Sequence, residues 1–235
     1  MTEFVPRPTT GRLYSHERRV RLSDAGPDAG LRLDGVARYL QDAATDDWAD
    51  SGLSPEGTWV VRRTALQVAS GGRWPRLGET VALTTWCGGT GPAWAERRTD
   101  LEVGGALMLE AVALWVPLDA AGRPLRLEPE FLAMYGEAAA GRRVSGRSPT
   151  VPGPTTATTR PWPIRRADLD VAGHVNNAAV WAALSEVAVE PVVSAALTHH
   201  GPLEEDQVVT LATEPGRIWL LAGAEVKVSG EFAPG

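Results

Sequence analysis

Hydrophobic and polar positions change their period several times along the chain, and each period predicts an element. Residues 12–23 alternate loosely between apolar and polar side chains, as a half-exposed strand does. Residues 33–50 place apolar side chains at helical spacing with a polar opposite face, which predicts an amphipathic helix. Glycine pairs then separate strand-like runs at 58–68, 79–87, 93–103 and 106–118. The first half therefore predicts a strand, a helix and an antiparallel sheet.

The same order of patterns returns after a segment of different composition. Residues 136–158 are dominated by Gly, Ala, Ser, Thr and Pro, which is typical of a linker. Residues 159–167 then predict an edge strand, and residues 176–189 predict a second apolar helix. Short strand candidates follow at 207–214, 217–222 and 224–229. We place His199 and His200 at the end of the second helix and expect a structural role there, because no other His or Cys lies near them in sequence.

A direct comparison of the two halves indicates an internal duplication. At an offset of 144 residues the like pairs are Arg21/Arg165, Asp24/Asp168, Val36/Val180, Leu40/Leu184, Asp42/Glu186 and Ala44/Ala188. The informative difference lies at Asp170 and His174, because the first half has Gly26 and Gly30 at the corresponding positions. Only the second copy carries ionisable groups at these positions.

Composition and charge restrict the class of protein. The chain has 235 residues, enough for one large domain or two small ones, and a formal net charge of −6, which argues against a dedicated nucleic-acid binder. Its single cysteine, Cys87, excludes an intrachain disulfide and a cysteine-cluster metal site. The first six residues lack the apolar core of a signal peptide, and no run approaches the ~18 apolar residues of a membrane span. We expect a soluble, cytoplasmic protein with no membrane span.

One short segment concentrates the side chains that could perform chemistry. Residues 165–177 have the sequence R-R-A-D-L-D-V-A-G-H-V-N-N and directly precede the second apolar helix. Its polar residues are Asp168, Asp170, His174, Asn176 and Asn177. One interpretation is a helix entry, because Asp and Asn favour caps and Gly173 permits a sharp bend. That interpretation accounts less well for His174, since a cap needs only an oxygen acceptor.

The alternative interpretation is catalytic. The first turn of a helix presents unpaired N–H groups and a partial positive charge, which suit an oxyanion or a polarised thioester carbonyl. A carboxylate such as Asp170 and an imidazole such as His174 could orient or deprotonate a water there. This arrangement fits acyl transfer to water without a serine or cysteine nucleophile.

The segment resembles the D-x-D-V-N-x-H-V-N-N signature of the acyl-ACP thioesterases of plants and bacteria. Further similarity is carried by Y-L-Q-D-A-A at 39–44, T-W-V-V-R-R at 58–63, R-W-P-R-L-G-E-T-V at 73–81 and A-L-W-V-P-L-D at 113–119. Simpler single-domain hotdog thioesterases share the less specific pattern D-x-D-x-x-x-H-V-N-N, so the tandem arrangement and the N-terminal blocks favour the acyl-ACP branch. The resemblance implies an α+β tandem double hotdog, in which each half is an antiparallel sheet wrapped around a long helix. It divides the chain into an acyl-binding domain at 1–135, a linker at 136–158 and a catalytic domain at 159–235.

The resemblance also implies a set of site residues. Asp170 and His174 occupy the positions of the family's catalytic aspartate and histidine, and Glu214 in T-L-A-T-E-P is the best match to its catalytic glutamate. The alternative for Glu214 is a solvated carboxylate at a strand end. The expected substrate-binding residues at the helix entry are Gly173, Val175, Asn176 and Asn177, the backbone N–H groups of Gly173–Val175 holding the oxyanion. Ala172 is a departure, since the family usually has Asn two residues before the histidine. Either a neighbour such as Asn176 or Asn177 compensates, or activity is reduced.

The activity implied is hydrolysis of fatty acyl-ACP to the free acid, with acyl carrier protein as partner and with no cofactor or metal. Two alternatives stay open: a non-catalytic acyl or acyl-carrier binding protein on the same fold, suggested by Ala172, and an acyl-CoA thioesterase. Most of the nine tryptophans lie in the first half, which fits an apolar acyl tunnel there; the ones considered for this lining are Trp59, Trp74, Trp86, Trp94 and Trp115. The arginines expected to face an acidic carrier, if they share one surface, are Arg62, Arg63, Arg73, Arg76, Arg97, Arg98, Arg142, Arg143 and Arg147. Chain length and oligomeric state, a homodimer included, stay open.

Overall fold

The computed structural model describes residues 3–54, 56–147, 151–188 and 192–235. Its helices are α1 (Leu33–Ser51), α2 (Pro129–Tyr135) and α3 (Asn177–Ser185), with a short 3₁₀ turn at Arg166–Asp168. Its strands are β1 (Leu13–Arg19), β2 (Thr58–Val68), β3 (Thr80–Thr90), β4 (Ala95–Val103), β5 (Ala106–Leu118), β6 (Thr158–Pro161), β7 (Val192–His199), β8 (Val209–Glu214), β9 (Arg217–Ala222) and β10 (Glu225–Pro234).

The strands form one ten-stranded antiparallel sheet in the order β1-β3-β4-β5-β2-β7-β10-β9-β8-β6. From one edge of the sheet to its middle, the strands of the first half come in the order first, third, fourth, fifth and second. From the opposite edge to the middle, the strands of the second half come in the same order. The halves meet where β2 pairs with β7, from Arg63 opposite Thr198 to Gln67 opposite Ser194. The expected α+β class with a large antiparallel sheet is confirmed, and the strand order repeats between the halves.

The two longer helices pack against each other over this sheet, and their apolar faces supply much of the main core. α1 buries one stripe that includes Val36, Leu40 and Ala43, and it ends at Gly52, whose φ of 69° is the left-handed conformation that glycine adopts most readily. α3 is apolar on most of its surface, and Val180, Trp181 and Leu184 are fully buried. Among the described helices, none is long and apolar enough to cross a membrane.

The second half departs from the sequence prediction at β7. The predicted helix at 176–189 ends at Ser185, with residue 189 outside the described residues, and a strand at 192–199 follows. The placement of His199 at the end of a helix is therefore wrong, because it ends β7. The strand lies between β2 and β10 near the middle of the sheet, so both of its edges are paired and its sequence lacks a clear polar alternation. A strand of that kind cannot be separated from a helix by periodicity alone.

Candidate active site

A tight turn holds the predicted catalytic residues ahead of α3. The Asp170 amide donates to the His174 carbonyl oxygen over 2.9 Å, and the Gly173 amide donates to the Asp170 carbonyl oxygen over 3.0 Å. Gly173 has a φ of 79°, which a residue with a side chain rarely adopts. The carboxylate of Asp170 accepts from the Ala172 amide at 2.9 Å. Asp170 and His174 are thus brought together by the backbone itself.

Two of the polar residues in this segment have structural roles. The Asn176 side-chain oxygen accepts from the Ala178 amide at 2.8 Å and so caps α3. The Asp168 carboxylate accepts from the Arg165 amide and guanidinium, and its carbonyl oxygen accepts from the Asn176 amide. The helix-entry interpretation accounts for these residues, but it does not account for His174.

The first half contains the same turn without the ionisable residues. The Gly26 amide donates to the Gly30 carbonyl oxygen at 2.8 Å, and the Ala29 amide donates to the Gly26 carbonyl oxygen at 2.9 Å. These bonds correspond, at the offset of 144, to those of Asp170 and Gly173. Ala29 also has a positive φ, of 65°, like its counterpart Gly173. Since glycines support this backbone in the first half, the turn does not require Asp170 or His174 for its shape.

Asp170 opens onto a small cavity between the helices and the sheet. The cavity has a volume of about 160 Å³ and is lined by Asp170, Asn177 and Trp181 among others. Trp59, Arg97 and Trp115 line both this cavity and a second, larger one of about 650 Å³. Val171, next to Asp170 in the turn, lines the larger cavity and its side chain is fully exposed. The turn therefore lies beside two adjoining cavities.

Aromatic rings dominate the wall of the larger cavity. Its five aromatic residues are Trp48, Trp59, Trp115, Phe131 and Tyr135. Phe131 lies 4.9 Å from Tyr135 and 5.1 Å from Trp59, measured between ring centroids. Because α2 supplies Phe131 and Tyr135, a helix that the sequence pattern did not predict closes this side of the cavity. The cavity lies mainly within residues 44–135, with Val171 as the contribution of the second half.

A buried ionic group supports the wall of the larger cavity. Asp47 of α1 is 1% exposed and accepts from Arg12 Nε and from Arg97 Nη1, both over 2.7 Å. Cys87 also lines this cavity, and burial raises the pKa of its thiol. A buried thiol of raised pKa is a poor nucleophile, so Cys87 serves as an apolar wall residue.

His174 meets a carboxylate that the sequence prediction missed. Its Nε2 lies 3.4 Å from Oε1 of Glu204, which belongs to the loop between β7 and β8. The Val175 amide donates to the Leu203 carbonyl oxygen at 2.9 Å and holds that loop against the turn. No local pattern distinguishes Glu204 from its neighbours Glu205 and Asp206, so only the position of the loop identifies it.

Glu214 lies at the end of β8, apart from the residues above. Its Oε1 accepts from the Thr155 and Thr156 amides at 2.9 and 3.0 Å, and these N–H groups hold the pKa of its carboxyl below the usual range. Neither cavity described above includes Glu214 among its lining residues. Asp170 and His174 thus share the turn before α3, with Asn177 at the first position of that helix, whereas the contacts of Glu214 are with Thr155 and Thr156.

The predicted oxyanion donors are partly engaged in the backbone. The Gly173 amide donates to Asp170 and the Val175 amide donates to Leu203, so neither is free for a ligand. Among the described residues, no backbone acceptor lies within hydrogen-bond distance of the His174 amide or of the Asn177 amide. Asn177 stands at the first helical position, where no carbonyl of the helix can accept from its amide. Within the described ranges, no three His, Cys, Asp or Glu side chains lie close enough to hold a metal ion.

Comparison with known proteins identifies the family. A family model of the acyl-ACP thioesterase N-terminal domain matches residues 11–135. The chain belongs to the acyl-ACP thioesterase family. The fold is similar to that of the 12:0-ACP thioesterase from Umbellularia californica, with a TM-score of 0.79 and 20% identity over 96% of this chain and 98% of that one. It is also similar to an acyl-ACP thioesterase from Bacteroides thetaiotaomicron, with a TM-score of 0.75 and 13% identity over 94% and 97% of the two chains.

A sequence relative extends the comparison. An uncharacterized protein of Mycobacterium tuberculosis is 28% identical over 219 residues, which cover 90% of this chain and 86% of that protein. Membership of the acyl-ACP thioesterase family supports thioester hydrolysis as the general chemistry of the chain.

Proposed function

We propose that this chain hydrolyses the thioester of fatty acyl-ACP and releases the free fatty acid and the carrier protein. The observation that carries the proposal is the position of Asp170 in a small cavity that shares Trp59, Arg97 and Trp115 with a 650 Å³ aromatic cavity. A thioester next to Asp170 can therefore extend its acyl chain into apolar surroundings. Burial of that chain stabilises the complex by about 0.8 kcal/mol per methylene.

In the proposed reaction Asp170 is the general base and His174 the proton donor. Asp170 takes a proton from water, whose oxygen adds to the thioester carbonyl carbon. The developing oxyanion lies at the α3 entrance, where the helix dipole and the Asn177 amide stabilise negative charge. The proton on Asp170 passes to the His174 imidazole, the carbon–sulfur bond breaks, and the imidazole ring gives a proton to the departing thiolate. The products are a carboxylic acid and a thiol, so the reaction consumes one water.

The proposal includes the domain organisation. We interpret the repeated strand order and the repeated turn as a tandem double hotdog with an acyl-binding unit at 1–135, a connection at 136–158 and a catalytic unit at 159–235. The larger cavity lies mainly in the first unit, and Asp170 and His174 lie in the second. The observed β6 begins at Thr158, one residue before the proposed second unit. Residues 148–150 of the connection lie outside the described residues.

The carrier protein would meet fewer arginines than the sequence suggests. Of the arginines expected to face an acidic partner, four pair with acids of this chain: Arg73, Arg97, Arg98 and Arg142. Arg62, Arg63, Arg76, Arg143 and Arg147 remain as candidates for the carrier surface. A KM for acyl-ACP that rises with salt, against a salt-independent KM for acyl-CoA, supports carrier recognition.

Release of free thiol from a panel of acyl-ACP and acyl-CoA substrates tests the proposal. We expect D170N and H174A to lose roughly 10²–10⁴-fold in kcat/KM, because each removes a proton-transfer group. D28N is the matched control, since Asp28 occupies the corresponding turn of the first half, where its carboxylate accepts from the Gly30 amide. E214Q in the same assay tests the remaining predicted acid. Wild-type turnover in both D170N and H174A contradicts the assignment.

Ala172 supports a second candidate, a non-catalytic acyl or acyl-carrier binding protein. The family signature has Asn at this position, and the alanine side chain provides no amide to hold a carbonyl or a water. Binding of acyl-ACP without thiol release by the wild-type chain would favour that function. Turnover of acyl-CoA alone would instead favour an acyl-CoA thioesterase.

A further inference from the structure

Glu204 and His174 are linked through both backbone and side chains. The two residues pair across an isolated antiparallel bridge, and the adjacent Val175 amide donates to Leu203 over 2.9 Å. The loop is itself braced, because the Glu204 amide donates to Gln207 Oε1 and the Gln207 amide donates back to the Glu204 carbonyl oxygen. The carboxylate of Glu204 is thus presented to His174 by a fixed loop, with 3.4 Å between Oε1 and Nε2.

The first half shows that this backbone arrangement does not need an acid. There Gly30 pairs with Arg76 across the corresponding isolated bridge, and the Leu31 amide donates to Pro75 as Val175 does to Leu203. In the second half Glu204 lies opposite His174. At the corresponding positions of the first half, Arg76 lies opposite Gly30. The Arg76 guanidinium donates to the Asp28 carbonyl oxygen instead. The acid and the imidazole therefore occur together in the half that also contains Asp170.

We propose that Glu204 is a positioning residue for His174: its carboxylate lies beside Nε2 and sets the orientation of the imidazole that donates a proton to the leaving thiolate. A carboxylate beside one ring nitrogen orients the ring, so that the other nitrogen faces away from it. With Nε2 lying 3.4 Å from Glu204 Oε1, Nδ1 is the ring nitrogen available to the thioester sulfur. The inference rests on the proposed role of His174 and adds a residue to it.

The other acidic side chains near the His174 ring either have different partners or are exposed to solvent. The Asp170 carboxylate accepts from the Ala172 amide, and Asp168 is paired with Arg165. Glu205 and Asp206 follow Glu204 in the loop, and both are exposed. In the described part of the chain, Glu204 is the acid whose carboxylate lies within 4 Å of a ring nitrogen of His174. His174 and Glu204 are 45% and 38% exposed, so solvent reduces the effect of the pair without removing it.

The test compares E204Q with the matched variant E205Q. Because the loop bonds run through backbone atoms and Gln207, E204Q keeps the fold and removes the charge. We expect a roughly 3–10-fold loss of kcat with little change in KM, because the ring donates its proton in the reaction and does not bind the substrate. E205Q should keep the wild-type kcat, and E204D should restore part of the loss. A kcat of E204Q that is indistinguishable from that of E205Q overturns the proposal.

A second measurement does not depend on turnover. The His174 ring signal in the NMR spectrum is assigned by its loss in H174Q and is then compared at one pH in the wild type, E204Q and E205Q. We expect the signal to change position in E204Q and to keep its wild-type position in E205Q, because only E204Q changes the group beside Nε2. Equal changes in both variants overturn the positioning role. If the signal changes as expected while H174A keeps full activity, the proposed function fails and the Glu204–His174 interaction stands.

Discussion

The Asp170 amide donates to the His174 carbonyl oxygen over 2.9 Å, so the two residues with the strongest catalytic pattern close a single turn. Their side chains project from a backbone that recurs at Gly26 and Gly30 of the first half. The backbone geometry is thus common to both halves, and the difference between them lies in the side chains. Substitutions that change the catalytic groups are therefore confined to the second turn, whereas substitutions that change stability can lie anywhere in the fold.

Asn176 should affect stability more than turnover. Because its side chain caps α3 by accepting from the Ala178 amide, N176A should lower the free energy of unfolding by about 1 kcal/mol. N176D should keep both stability and kcat/KM, since Asp is an equally good cap. Urea denaturation and thiol release measure the two effects. Loss of activity in N176D at wild-type stability would instead indicate a direct substrate contact.

The larger cavity should determine the length of the acyl chain. Ala44 lines it from α1, so A44L places three further carbons in the cavity and should move the preferred substrate towards shorter chains. Competition assays with a mixture of acyl chain lengths measure this preference. A49L is the control, because Ala49 is exposed on the same helix. An unchanged chain-length profile in A44L would show that the acyl chain binds elsewhere.

Asp47 should be the most sensitive acid of α1. It is 1% exposed and neutralises Arg12 and Arg97, so D47A leaves two guanidinium groups without their buried partner. We expect a loss of about 3–5 kcal/mol in the free energy of unfolding, measured by denaturant titration. D50A removes a 58% exposed acid that also pairs with Arg12, and it should cost less than about 1 kcal/mol. Equal effects of the two variants would contradict the role given to burial.

His199 should make the fold sensitive to acid. Burial, with smaller contributions from His200 and Arg62, lowers its pKa to about 4, and its Nε2 has no hydrogen-bond partner among the described residues. The unfolded chain binds a proton at this site below about pH 6.5, and the folded chain does so only near pH 4. The free energy of unfolding is therefore not reduced by this group above pH 6.5, and it falls by about 1.4 kcal/mol per pH unit as the pH drops towards 4.

The variant H199L tests this effect by difference. As the pH falls from 6.5 to 4, the free energy of unfolding of H199L should decrease less than that of the wild type, because no group titrates at position 199. Parallel denaturant titrations at several pH values provide the comparison, and other acids cancel in it. Identical pH slopes would exclude His199 as the source.

The sequence predicted the elements that turn residues delimit. The strands at 58–68, 106–118 and 217–222 have the predicted bounds, and α1 extends one residue beyond its prediction. Each shows a clear period between recognisable breaks. β7 was missed because its place in the sheet interior removes the polar alternation, and α2 is too short for its period to be distinguished.

The sequence predicted the site residues that lie together in one continuous segment of the chain. Asp170 and His174 are four residues apart, so their proximity follows from a local turn. Glu204 approaches His174 only because the β7–β8 loop pairs with that turn, and a contact of this kind depends on tertiary register. Glu214 was chosen as the best match by its distance along the chain, and its catalytic role stays a prediction that E214Q tests.

The seam between β2 and β7 has a consequence for folding order. It joins residues 63–67 to residues 194–198, so it closes a chain segment of more than a hundred residues. Loop closure over such a distance is slow, and β2 is synthesised long before its neighbour. Until the second half emerges from the ribosome, the first half presents β2 as an open edge, on which a second nascent copy could pair. The rate of translation between residues 68 and 192 therefore sets the time during which a nascent chain is open to mispairing.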